Sequence, residues 1–129
     1  MESRQNFDID CEHSINVQIN NELFASYTYL AMANYFRRTN VALYGAGAFF
    51  HNQHLDELTH AYKLIEYMTD RGGVVKLAQL SAPQNQEWAS LLAAFKDAVD
   101  LERNNNTSLM RLHEIASNKQ DSDVSYLPN

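Results

Sequence analysis

The chain has 129 residues, 45% of them hydrophobic, and a formal net charge of −6; that length fits one domain with a sizeable core, and the acidic balance excludes a nucleic-acid footprint. The single cysteine, Cys11, excludes an internal disulfide and fits a reducing compartment. With no apolar run of signal-peptide length and none approaching the ~18 residues of a membrane span, residues 1–129 read as one soluble, cytoplasmic domain with no membrane and no nucleic-acid partner.

Only four glycines and two prolines interrupt the chain, which favours long helices. Residues 1–7 are polar and read as a frayed end. A first long helix is predicted over about 11–38, where Ile15, Ile19, Leu23, Tyr27, Leu30 and Tyr35 recur at three to five residues. Phe24, Met32 and Phe36 widen its stripe, and Asp8 or Asp10 is placed to cap it. Thr39-Asn40 reads as a short turn into a second helix over about 41–69, with Leu43, Phe49, Phe50, Leu64, Ile65 and Met68 as its core candidates. Gly45 and Gly47 weaken its first turns and permit close approach of a neighbour. Arg71-Gly72-Gly73 is a stop signal with a glycine for a left-handed cap, and so short a turn before this helix implies an antiparallel pair.

Residues 74–84, with Pro83, are longer than the usual bundle loop. Such a connection crosses the bundle from end to end, so that the third helix runs parallel to the second. That helix is predicted to begin at Asn85 or Glu87 and to run to about residue 117, with Trp88, Leu91, Leu92, Phe95, Val99, Leu101, Leu109, Leu112 and Ile115 apolar. Residues 118–123 form a polar break and residues 124–129 a short tail. The class is all-α, with three long helices of a bundle and a long crossover between the second and third.

The chemistry centres on Asp56-Glu57-Leu58-Thr59-His60. Glu57 and His60, three residues apart, project from one face of a helix, the spacing by which one helix offers a bundle-core metal both a carboxylate and an imidazole. In di-iron bundles other helices add carboxylates, and here Glu22 lies mid-way along the first helix and Glu102 mid-way along the third. Tyr29, seven residues after Glu22, shares its face. Taken singly, Glu22 and Glu102 read equally as solvated-face acids, His60 as an ordinary packed or exposed histidine, and Tyr29 as core. Asn105, not histidine, stands three residues after Glu102, so the third helix lacks a second Glu-x-x-His. The glycosylation patterns at Asn105 and Asn106 fall within a predicted helix and read as chance matches.

Taken together these residues resemble ferritin, in its heavy-chain type. The resemblance is carried by Arg4-Gln5-Asn6-Phe7, by Val17-Gln18-Ile19-Asn20-Asn21-Glu22-Leu23-Phe24-Ala25-Ser26-Tyr27-Thr28-Tyr29-Leu30 and by Asp56-Glu57-Leu58-Thr59-His60-Ala61. Arg71-Gly72-Gly73, Trp88 and Leu101-Glu102-Arg103-Asn104 extend it over residues 4 to about 121. It implies a ferritin-like helical bundle with an intra-bundle diiron centre, at which Fe(II) is oxidised by oxygen to Fe(III) for storage. By this resemblance Glu22, Glu57 and His60 hold the first iron. Glu57 bridges to a second held by Glu102, and Tyr29 sits beside the pair. Glu57, His60 and Tyr29 are thus the residues expected at the chemistry.

Against that pattern the sequence ends where a fourth helix is expected, and Tyr126-Leu127-Pro128-Asn129 does not resemble its start. An open apolar seam is then expected, and with it a homo-oligomer or an assembly with other ferritin subunits. At the positions of the family's mineral-nucleating acids stand Asp56, Thr59 and Tyr62, which implies weak nucleation. The competing expectations are a non-enzymatic interaction or regulatory subunit of full-length ferritin, a product without a stable fold, and a metal-free helical scaffold.

Overall fold

The computed structural model describes residues 7–125. It contains α1 (Ile9–Phe36), α2 (Tyr44–Asp70), α3 (Leu91–Asn118) and the short α4 (Ser122–Ser125), with no strand among the described residues. The expected frayed residues 1–6, with Arg4, Gln5 and Asn6, and the tail Tyr126, Leu127, Pro128 and Asn129 lie outside that range. Phe7 departs from the frayed reading: it is buried and packs its ring edge against Tyr67.

Asp8 caps α1, its side chain accepting the Asp10 N–H at 2.7 Å. Beyond Phe36 the chain makes a tighter and longer turn than Thr39-Asn40 alone. Val41 and Ala42 donate to the Arg38 carbonyl, and Ala42 is left-handed at φ 52°. This delays α2 to Tyr44, three residues later than its periodicity implied. Gly47 is buried where α2 crosses α1, and an added Cβ would meet Arg37 Cγ at 2.5 Å and the Ala33 carbonyl at 3.3 Å. Gly45 has open space around it. Gly45→Ala should therefore raise stability by about 0.5 kcal/mol through the restricted unfolded chain, read as a shift in the urea midpoint; a loss would show a constraint at Gly45 that its open surroundings do not reveal. At the other end Gly72, the second residue after α2, adopts φ 77°, the left-handed position anticipated from Arg71-Gly72-Gly73.

The connection is longer than the sequence implied, because Trp88 and its neighbours do not join α3. Ser90 caps the helix by accepting the Ala93 N–H, and Asp97 one turn on accepts from both the Trp88 indole and the Asn85 amide. These bonds fold residues 85–90 back on the first turns of α3 and set its start at Leu91. The crossover is held along α1 from end to end. Near its start Val74 and Lys76 donate to the side chains of Glu12 and Asn16, and near its finish Glu87 pairs with Arg38. α1 thus packs against both α2 and α3, antiparallel to each, and α3 runs parallel to α2 as expected of a crossover bundle.

The interior has two apolar clusters. One, toward the N-terminal end of α1, holds Cys11, Ile15, Ile19, Leu64, Met68, Leu109 and Leu112. The other, toward its C-terminal end, holds Tyr29, Met32, Phe36, Phe50, Trp88 and Ala98. Phe36 stacks on Phe50 and Trp88 with centroids 5.7 and 6.4 Å apart; burial of a side chain this size contributes roughly 2–3 kcal/mol. Several residues of the predicted stripes are exposed instead: Tyr27, Leu43, Phe49, Leu92, Phe95 and Val99. Phe49, Phe95 and Val99 line an open groove of about 560 Å³ between α2 and α3, because among the described residues no element covers that face. The seam expected from the sequence is this groove. Among the described residues, no helix is long and apolar enough to cross a membrane.

Candidate metal centre

Between the two apolar clusters lies a polar layer. Among the described residues the buried polar side chains are Gln18, Glu22, Ser26, Glu57 and Asn105, with Asp121 apart at the bundle end. Isolated carboxylates in such a place cost several kcal/mol unless paired or bound to a cation. Glu22 is 2% exposed and Glu57 4%.

The Glu-x-x-His spacing places its two side chains as anticipated. His60 Nδ1 stands 3.4 Å from Glu57 Oε2 on the same face of α2 and 3.8 Å from Glu22 Oε2 on α1. One ligand atom from each of Glu22, Glu57 and His60 lies within 4.8 Å of the others. Two carboxylates and one imidazole, with the imidazole partly open to solvent, form a set that a borderline-hard divalent cation such as Fe(II) accepts, with room for further ligands. Glu57 Oε2 is buried and accepts no hydrogen bond among the described residues. An orphaned carboxylate oxygen pointing into a cluster of ligand atoms is what a cation would satisfy.

Glu102 is not part of this trio. It is exposed on the groove side of α3 and accepts the Tyr29 hydroxyl at 2.6 Å. Tyr29 itself is buried and stacks on Phe50 with centroids 6.2 Å apart. The Glu57 carboxyl faces both Glu22 and Glu102. Burial first, then hydrogen bonding and repulsion from Glu22, then the same from Glu102, push it far above the usual carboxylate range. A cation held between the buried Glu57 and Glu22 would relieve this crowding. Burial, followed by the hydrogen bond and the charge of Glu102, likewise pushes the Tyr29 phenol upward.

Two site residues were not legible in the sequence. Gln18 donates to Glu22 Oε1 and to Asn105 Oδ1, and Asn105 donates to Glu22 Oε2. Gln18 does stand one helical turn before Glu22, and Asn105 one turn after Glu102, but amides at such positions are common on solvated faces. In the adjoining layer His54 Nδ1 meets the Ser26 carbonyl at 2.9 Å, while the Ser26 hydroxyl donates to the His54 carbonyl.

Comparison with known proteins identifies the family of the chain. The profile of the ferritin-like domain family matches residues 12–127. The chain is 47% identical over 118 residues to the ferritin middle subunit of Salmo salar, covering 92% of this chain and 67% of that protein. It is 46% identical to the ferritin-1 heavy chain of Schistosoma mansoni, with 92% and 68% covered. The ferritin heavy chain of Echinococcus granulosus is also 46% identical, with 92% and 69% covered. A family profile spanning nearly the whole chain, identities near one half, and an all-helical bundle with buried acids facing a histidine establish one conclusion: this chain belongs to the ferritin family.

Proposed function

We propose that the chain binds iron for storage and oxidises Fe(II) to Fe(III) with oxygen at a diiron centre inside the bundle. The observation that carries this reading is the buried Glu57 Oε2, without a hydrogen-bond donor and facing His60 and Glu22. Iron is here the substrate and the cargo. Glu22, Glu57 and His60 would take the first Fe(II). Glu57, which faces Glu102 as well, would be shared with a second Fe(II) on the Glu102 side, beside the Tyr29 hydroxyl. Each Fe(II) gives up one electron, and the two electrons reduce oxygen with uptake of two protons. The protein's part is to hold two reductants together in a partly dry site. A reducing cytoplasm suits both Fe(II) and the buried thiol of Cys11. Asp56, Thr59 and Tyr62 lie on exposed positions of α2, and with one acid among them they would nucleate mineral weakly.

The test is anaerobic Fe(II) titration followed by oxygen, with the Fe(III) absorbance followed in time. Oxidation well above the buffer blank, lost in Glu57→Ala and His60→Ala, is the expected result. A rate equal to the blank would sink the oxidase reading.

The open groove favours a second reading, in which the chain is an interaction or regulatory subunit. Phe49, Phe95 and Val99 are exposed beside Glu102, and a helix of another ferritin subunit laid there would bury them and close the Glu102 side of the centre. If the oxidation rate equals the blank alone but appears on mixing with a full-length ferritin subunit, this reading replaces the first.

A further inference from the structure

We propose that Asn105, acting with Gln18, is a positioning residue that locks the Glu22 carboxylate toward the cation site. The inference rests on the metal reading of Glu22, Glu57 and His60. Its starting point is the spacing on α3, where Asn105 stands three residues after Glu102 and so takes the place at which a second Glu-x-x-His would present an imidazole. The amide at this place does not turn to the cation. Its Nδ2 donates to Glu22 Oε2 at 3.0 Å, and its Oδ1 is already occupied, accepting from Gln18 Nε2 at 2.9 Å. Gln18 Nε2 also donates to Glu22 Oε1 at 3.0 Å. The three side chains close a ring of hydrogen bonds in which each Glu22 oxygen receives one amide donor.

The ring defines the plane of the Glu22 carboxylate. A carboxylate oxygen has two lone pairs; with one on each atom engaged by an amide, the others remain for a cation, and Oε2 lies 3.8 Å from His60 Nδ1. Without the ring the terminal torsion of Glu22 is soft, and cation binding would have to order it. The placement of Gln18 supports this role. It is fully buried, yet its Oε1 has no hydrogen-bond partner among the described residues. A buried, unpaired carbonyl is unfavourable, and an apolar side chain of that size would avoid it. What the amide supplies in return is its pair of N–H donors, and both go to the ring around Glu22.

Outer partners that orient a metal ligand typically set affinity by 10- to 100-fold. The test uses Co2+ as the probe, with binding followed by its visible absorption and by calorimetry. Asn105→Leu keeps the branched four-atom shape and removes the donor. It should weaken Co2+ binding about tenfold and alter the visible band, with the helix content of the cation-free chain unchanged. In a Glu22→Gln background the same change should cost nothing further, since the group it positions is no longer a charged ligand. Unaltered affinity in Asn105→Leu, or an equal loss in both backgrounds, overturns the proposal. Should Asn105→Leu fail to fold, Gln18→Leu breaks the other half of the ring. A similar loss of affinity is expected there, and an unaltered affinity overturns the proposal equally. Failure of the parent chain to bind Co2+ would sink the metal reading itself, and this inference with it; strong parent binding that survives both leucine variants overturns the ring alone.

Discussion

Glu57→Leu should stabilise the cation-free chain by about 2 kcal/mol and abolish its stabilisation by divalent cations. Glu57 is nearly inaccessible, one of its oxygens accepts no hydrogen bond among the described residues, and its carboxyl is crowded by Glu22 and Glu102. Keeping a carboxyl there, charged or protonated, leaves polar groups poorly matched in a layer that is otherwise packed. Leucine has a similar volume and fits beside Ala61 and Leu64, the next inward-facing residues of α2. It also relieves the repulsion on Glu22. In a thermal melt of a chain this size the gain corresponds to roughly 6–10 °C. The unaltered chain should recover such a difference only when a cation is present, since a ligand at one hundred times its Kd adds about 2.7 kcal/mol. Melts of both proteins with and without Co2+ decide the matter. A destabilised Glu57→Leu chain would mean that the acid is favourable in the empty bundle, and the site would then be structural. The opposition between stability and binding is the pattern expected of a site selected for a ligand rather than for the fold.

Arg71→Leu should destabilise the chain by about 3 kcal/mol, the largest effect expected of any single charged side chain at the bundle ends. Arg71 follows α2 directly, and its side chain is only 16% exposed. It makes a two-pronged pair with Asp121 at 2.9 and 3.2 Å, donates to the Tyr67 hydroxyl and lies over the Phe7 ring at 4.7 Å. Asp121 in turn accepts the Val124 N–H from within α4. One side chain therefore joins the start of α1, the end of α2 and the turn after α3. Its removal leaves a buried aspartate without its cation.

The same pair gives the chain an acid limit. Burial alone would raise the Asp121 carboxyl, but the hydrogen bond from Arg71, then that from the Val124 N–H, then the Arg71 charge outweigh it and hold it below the usual range. A carboxyl that is more acidic in the folded chain stabilises fully above the pKa of an unfolded aspartate, about 3.9. That contribution is lost as pH falls through the lower, folded value. Asp121→Asn should therefore melt well below the unaltered chain at neutral pH, and the gap should narrow progressively below about pH 4. A gap that does not change with pH would show that the pair acts by packing alone.

Much of the fold is legible in the sequence because helix signals are local. The apolar spacing of Ile15 and Ile19, the cap at Asp8, the left-handed glycine at Gly72 and the long stretch around Pro83 each act within a few residues. The same locality made Glu57 and His60 a pair, since residues three apart on a helix share a face whatever packs against it. Trp88 lies outside α3 for a non-local reason. Its apolar character suits a helix stripe as well as a loop anchor, and only the bond to Asp97, with the stacking on Phe36, separates the two.

The three long helices, the antiparallel first pair, the direction of the crossover and a carboxylate–imidazole pair at mid-height thus follow from local patterns in the chain. Glu22 beside that pair is implied by the family resemblance and not by local spacing, whereas the turn of Glu102 to Tyr29 in the groove and the clasp of Gln18 and Asn105, 87 residues apart, on Glu22 come from helix packing. The physical reason is register. Which residues meet across two helices depends on their relative rotation and slide, and in this chain those are set by Phe36 against Phe50 and Trp88 at one end and by the Arg71–Asp121 pair at the other. Both constraints lie outside the polar layer whose contacts they determine.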